Sequence, residues 1–328
     1  MADHGLRSTQ ERTDRVVERP QSDLLRFFAA NACAFAAAIF LLLTGSVGVS
    51  ALRSLVMLAL LLALCVPASR WIAQRVDQTR SAFTVGGASF AGLLGAPIAA
   101  GLVNVLAGGF PLPLMPALAA ASIAYCFGES AGRLACISFG CCYGKSLEQA
   151  GRWAARIFGR FHFVFHGGTK KIAYAAGLQG ARVIPVQALT AALFALLGMV
   201  ATALFFESQY AAAFALSVLL SQAWRVYSEI LRADYRGGGR ISAYQVMAAL
   251  SVVIAGLLTL SLPDAGHVRA DVVRGLGILW DPGVLVFLEF LWLGLFLFMG
   301  RSETTASTLS LHVNPAFKNP ALPSSDQA

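Results

Sequence analysis

Residues Ile184 to Phe206 read IPVQALTAALFALLGMVATALFF, a run without a single charged side chain. At 1.5 Å of rise per residue, about 20 such residues cover the ~30 Å hydrocarbon core of a bilayer. Working outward from it, seven further apolar runs occupy roughly 26–46, 54–69, 84–107, 111–132, 209–231, 243–262 and 283–300. Strands of a membrane barrel would alternate apolar and polar residues, and these runs do not; helices satisfy every backbone group within the segment. The expected fold is therefore all-α: a polytopic transmembrane helical bundle of about seven to eight spans, with one long basic loop between spans four and five. The composition agrees. Of 328 residues, 57% are hydrophobic and 13% charged, against about 25% charged in soluble domains, which excludes an ordinary soluble enzyme.

Residues 1–25 form a polar N-terminal tail in which Met1 to Asp23 carries four arginines against five acids. That mixture is too polar for a cleavable signal sequence and predicts a disordered or surface-lying tail. Residues 301–328, rich in Ser, Thr, Pro and Ala, predict a second disordered tail. One transmembrane domain, 26–300, lies between them, with no internal repeat of the transporter kind. The net charge of +8 collects in the connections and is not expected to serve nucleic acid. By the positive-inside rule, it places the N-terminus, residues 143–182 and the C-terminus in the cytoplasm.

The loop 143–182 holds seven basic residues and one acid, Glu148. On a helix Arg152, Arg156 and Arg160 share one face, and Trp153, Ile157 and Phe161 share another. Such a helix lies at the membrane surface and attracts anionic headgroups, at about 1 kcal/mol per charge. A plain cytoplasmic loop obeying the charge rule is the alternative.

Charged residues inside spans cost ~2.5–3.5 kcal/mol each even on the lenient insertion scale, so each asks for a reason. Glu129 and Arg133 stand four apart, as do Arg225 and Glu229, with Arg232 one turn beyond. Four residues apart is one helical face, where opposite charges pair. Either the pairs pin helices together, or Arg133, Arg225 and Arg232 converge and grip a phosphate, for which planar guanidinium donors are suited. Two acids against three arginines leave one positive charge over. Glu289 is expected to snorkel or pair locally.

Gly87, Ala91, Gly95 and Ala99 form a small-residue stripe that lets helices approach closely. The stretch GRLACISFGCCYG, Gly132 to Gly144, combines Arg133 with Cys136, Cys141 and Cys142. Neither CxxC nor Cys/His spacing occurs in it, so no metal and no cofactor are expected, and the cysteines read as small apolar packers. His162 and His166 in FHFVFHGG share a face and are candidates for a base; a structural role is the alternative.

These residues resemble a known family, the bacterial prolipoprotein diacylglyceryl transferases. FGESAGRLACISFGCCYG, Phe127 to Gly144, resembles the family signature without gaps. GGASFAGLLG, Gly86 to Gly95, resembles its glycine-rich third-span motif; IPVQ, Ile184 to Gln187, its HPxQ motif; and RVYSEILRADYRG, Arg225 to Gly237, its RxxxExxR segment. ISAYQ, Ile241 to Gln245, matches the start of the following span. The resemblance covers about residues 84–262. It implies an enzyme of the bacterial cytoplasmic (inner) membrane that moves the diacylglyceryl group of phosphatidylglycerol to the thiol of a prolipoprotein signal peptide, releasing glycerol phosphate. Carried over, Arg133, Arg225 and Glu229 are expected to be catalytic and Arg232, Gln187, Gly92 and Gly144 to bind substrate; His162 and His166 have no counterpart in the family motifs and are added to the substrate site as a candidate replacement base. The chain also departs from the pattern. Phe90 or Ala91 and Ile184 stand where the family has histidines, and Cys136, Phe139 and Cys141 where it has two asparagines and an acid. In the family the loop after the signature faces the periplasm, opposite to the side that the charge rule gives here.

Overall fold

The computed structural model describes residues 21–76, 84–107, 112–168, 170–234, 241–265 and 268–298. Residues 1–20 of the expected N-terminal tail and the whole of the expected C-terminal tail, 301–328, lie outside them, and helix begins at Gln21. In chain order the helices are α1 (Gln21–Ser46), α2 (Ala51–Val76), α3 (Val85–Ala107), α4 (Leu114–Phe139), α5 (Gly151–Phe158), α6 (Lys171–Ala176), α7 (Val186–Phe206), α8 (Tyr210–Leu231), α9 (Ala243–Ser261), α10 (Val272–Leu279) and α11 (Pro282–Phe298). Two short strands, β1 (Phe163–Val164) and β2 (Arg182–Val183), pair antiparallel.

Helix α4 is the centre of the bundle. It packs against α1, α7, α8 and α3, and 61% of its apolar window is buried inside the protein, the highest share among the apolar helices. Small side chains make this possible: Ala117, Ala119, Ala120 and Ala124 are all buried, so α1 and its other neighbours come close. The helix ends at Gly140, whose left-handed backbone (φ +71) closes it with a bond from its N–H to the Cys136 carbonyl. Helix α9 is opened by a capping box, in which Ser242 and Gln245 satisfy each other's backbone N–H groups. The small-residue stripe of α3 faces α2, where Gly87 lies against Ile72 and Gly95 against Leu64.

Among the described residues, six helices are long and apolar enough to cross a membrane, or seven if the pair α10 and α11 counts as one bent span. The chain is thus an all-α, polytopic membrane protein. Two of the expected blocks come out differently. Residues 209–231 do form a 22-residue helix, α8, alongside α7 and α9, but it is not among the helices that are apolar enough to span. Its inward face carries buried Ser217, Ser221 and Gln222. The last block, 283–300, forms α11, whose 17 residues pass as a span only together with α10, a short helix ahead of the block that meets it at 65°.

The loop between α4 and α7 is a folded cap. Helix α5 stops at Phe158, so Arg160 and Phe161 fall beyond it and the expected three-residue stripes are cut short. Arg152, Trp153, Arg156 and Ile157 are exposed on α5, and Arg160 and Phe161 are exposed after it. Residues 143–147 thread between two other segments. Lys145 N–H donates to Leu231 O (2.9 Å) and Ala233 N–H to Tyr143 O (3.1 Å) on one side, while Ile184 N–H donates to Lys145 O (3.0 Å) and Leu147 N–H to Arg182 O (2.9 Å) on the other. Lys170, buried, donates from Nζ to the Ser138 carbonyl (2.9 Å) and so ties the cap to the last turn of α4; burial pushes its pKa down.

Gly144 sits where these strands cross. A Cβ there would stand 2.8 Å from Ile184 Cβ and closer still to the Ile184 carbonyl oxygen, which cannot swing aside. Gly144→Ala is expected to destabilise the protein by about 1–3 kcal/mol, as overpacking does, read as a lower unfolding midpoint in detergent. Gly168→Ala, at an exposed position where a Cβ meets nothing within 4 Å, controls for side-chain bulk.

Candidate functional site

A narrow cleft lies at the cap end of α4, α7 and α8, lined by Glu129, Arg133, Thr190, Phe194, Trp224, Arg225, Ser228, Glu229 and Arg232. All three arginines singled out in the sequence reach it. Arg133 stands roughly 9 Å along the axis from the end of α4, given the helical rise, which puts the cleft shallow in the bundle beneath the cap.

The charge pairing differs from the expected one. Glu129 and Arg133 pair within α4 as the four-residue spacing predicts. Arg225, however, does not turn to Glu229. Its Nη2 lies 3.8 Å from Glu129 Oε1 across the helix interface and donates a hydrogen bond to the Tyr125 hydroxyl. Glu229 instead accepts from Arg232 Nη1 (3.3 Å), and Arg232 is held from its other side by Asp234, with Nε and Nη2 donating at 2.7 and 2.6 Å. This Asp234 fork ends the surplus charge expected from the sequence: three acids now stand against three arginines, although only Glu129 and Glu229 line the cleft itself. The cause is geometric. Arg232 lies past the last residue of α8 in extended backbone, so it is free to reach the acid two residues on.

Two donors are left over. Arg133 Nε and Arg225 Nε are buried and meet no acceptor among the described residues. An unmet buried donor costs ~1–3 kcal/mol, and more when it is charged. Trp224 Nε1 donates to Thr190 Oγ1 (2.9 Å) and so fixes one wall of the cleft.

The other expected site residues divide. Gln187 is fully buried at the start of α7; its Nε2 donates to the Cys141 carbonyl (2.8 Å), while its Oε1 has no partner among the described residues. Gly144 bridges to Arg232 through the backbone and so positions that arginine. Gly92 packs against Cys65 on α2, away from the cleft lining. His162 donates locally, from Nδ1 to Gly159 O (3.0 Å), and His166 is exposed; neither lines the cleft.

The sequence spacing reads three cysteines as small apolar packers. Cys136, Cys141 and Cys142 bring their sulfurs within 4.8 Å of one another. Hydrogen bonds from Cys136 and Cys141 hold the Cys142 thiol well below its usual range, aided by the charges of Arg232 and Arg133, while the same thiol contacts push Cys141 up. Asp234 and Tyr125 were missed as well. Only the cysteines gave a signal in the sequence, three in seven residues, and the missing CxxC spacing concealed it.

No family model, no curated protein and no solved structure matches this chain.

Glu129 compensates two guanidinium groups at once. Glu129→Ala leaves both buried without it and is expected to cost about 3–5 kcal/mol, the range for breaking a buried pair. Thermal unfolding in detergent reads this out, with Glu148→Ala in the cap as a control expected to change little.

Proposed function

We propose that the chain binds the phosphate of an anionic phospholipid in the arginine cleft. The observation that carries this reading is the pair of unmet Nε–H donors on Arg133 and Arg225, buried beside Arg232 in one cleft. A phosphate offers several acceptor oxygens to such donors, and guanidinium groups suit it geometrically. The shallow position beneath the cap corresponds to the depth of a headgroup, and the exposed arginines and aromatic residues of α5 and its continuation suit an anionic membrane surface.

The resemblance to prolipoprotein diacylglyceryl transferases extends the proposal to a reaction. The sulfur of a signal-peptide cysteine would attack the glyceryl carbon bearing the phosphate ester of phosphatidylglycerol. The C–O bond to phosphate breaks, an S–C bond forms, glycerol phosphate leaves, and the thiol proton passes to a base. Arg133, Arg225 and Arg232 stabilise the charge gathering on the leaving phosphate, the role fixed donors play best in a water-poor site. The setting is then the bacterial cytoplasmic membrane, with phosphatidylglycerol and prolipoproteins as partners.

A second reading, a catalytically silent binder of anionic phospholipid, is favoured by a different observation. The carboxylates lining the cleft, Glu129 and Glu229, are both engaged in ion pairs, and neither His162 nor His166 joins them.

Purified protein in phosphatidylcholine vesicles doped with phosphatidylglycerol is expected to bind that lipid. Arg225→Ala is expected to weaken binding roughly ten- to a hundredfold, the worth of a charged hydrogen bond, and Arg225→Lys to fall between. Equal binding by the wild type and by Arg133→Ala and Arg225→Ala variants sinks the phosphate reading. Headgroup-labelled phosphatidylglycerol with a lipobox peptide then separates the two readings: release of labelled glycerol phosphate marks the transferase, and retention of label on bound lipid marks the silent binder.

A further inference from the structure

We propose that Cys136, Cys141 and Cys142 form a three-thiolate site for a single soft cation, zinc(II) or copper(I). The three sulfurs lie within 4.8 Å of one another, and Cys136 Sγ is 3.8 Å from Cys142 Sγ. Thiolates bound to one metal at ~2.3 Å stand about 3.8 Å apart in tetrahedral and about 4.0 Å apart in trigonal geometry. The Cys136–Cys142 pair is thus already at ligand spacing, the third sulfur lies within 4.8 Å of both, and none is tied up in a disulfide.

The backbone is built to hold them there. Cys136 is one turn from the end of α4, and Gly140 turns the chain through the left-handed region so that Cys141 and Cys142 come back over that turn. Cys142 itself takes φ +56, a conformation that side chains other than glycine rarely adopt and that recurs where a fold fixes a functional group. Gln187 grips the Cys141 carbonyl from α7, and the close packing of Gly144 on Ile184 fixes the next turn. The loop is therefore anchored on both sides of the sulfurs.

The donor set selects the ion. Among the described residues no histidine and no carboxylate belongs to the cluster, and an all-sulfur set favours zinc and copper(I) over magnesium, calcium or manganese. The sulfurs bind as thiolates, and any proton that a thiol still carries is released to water. Three thiolates leave a net negative charge with either ion. Arg133, whose Nη1 is 4.0 Å from Cys136 Sγ, and Arg232, joined to Gly144 across the backbone bridge, offset that charge. With three protein ligands, zinc keeps a fourth position open, whereas copper(I) is satisfied by a trigonal set. The site adjoins the arginine cleft through these two residues but does not depend on a lipid being bound there.

The test uses the full chain in detergent, prepared reduced and freed of metal. Cobalt(II) is expected to bind at about one ion per chain with a thiolate-to-cobalt charge-transfer band, and zinc to displace it; copper(I) is titrated in parallel against a coloured chelator. X-ray absorption of the loaded wild type is expected to show a sulfur-dominated shell, a reading that needs no variant. Cys136→Ser, Cys141→Ser and Cys142→Ser are each expected to weaken binding by roughly a hundredfold or more, beyond the loss of an outer-shell partner. The combined Cys33→Ser, Cys65→Ser and Cys126→Ala variant is expected to bind as the wild type does. The proposal is overturned if the reduced wild type retains neither ion, if its metal shell lacks sulfur, or if the Cys141→Ser protein loads unchanged. It is equally overturned if thiol counting shows that two of the three cysteines form a disulfide that resists reduction and leaves no site.

Discussion

A carboxylate between two guanidinium groups inside a membrane protein sets the terms for everything around it. Glu129 is buried on the central helix and compensates Arg133 on its own helix and Arg225 on α8. A lone charge in such a place is costly, so the three groups must stay together, and this fixes how α4 and α8 lie against each other. Tyr125 reinforces the same register by accepting from Arg225 one turn above Glu129. With α4 and α8 locked, Arg232 emerges from α8 beside the segment that leaves α4, and the backbone bridge between Gly144 and Arg232 follows. The cleft, and the point where the cap is joined to α8, follow from one buried charge group.

Much of the bundle was legible because lipid imposes a simple demand. A run such as Val186–Phe206 has few alternatives to a spanning helix, and the observed α7 begins within two residues of the expected block. Legibility ended where the deciding partner was distant in sequence. The spacing of Arg225 and Glu229 is that of a helical ion pair, yet Arg225 reaches an acid 96 positions earlier, because helix packing offers Glu129 and Tyr125 on the facing surface. Asp234 was passed over for the opposite reason: it is next door, but its fork on Arg232 depends on the chain leaving helical geometry at that residue. The cysteines show the same limit, since their spacing fits no common ligand motif until Gly140 folds the chain back.

The cap also shows how a composition can be read correctly and still conceal a fold. Basic and aromatic residues at fourfold spacing announce a surface helix, and α5 is one, but Gly159 ends it and the chain turns into β1. What the spacing could not convey is that β1, β2 and residues 143–147 pair into a small platform around buried Tyr143, Phe165, Ile172 and Val183. The cap thus has an apolar core of its own, separate from that of the bundle.

The modest apolarity of α8 bears on how the protein is made. A helix that carries Ser217, Ser221, Gln222, Arg225 and Glu229 along 22 residues has little reason to partition into lipid by itself, since each charge opposes transfer. Helix α7 has that reason in abundance and is joined to α8 by only Glu207 to Gln209. Joined as one hairpin, the two together present the apolar surface that α8 by itself lacks. The account in which every helix first becomes independently stable across the bilayer and only then associates serves α7 well. For α8 it does not, because the charge that opposes transfer is compensated by Glu129 and Tyr125 on the neighbouring helix.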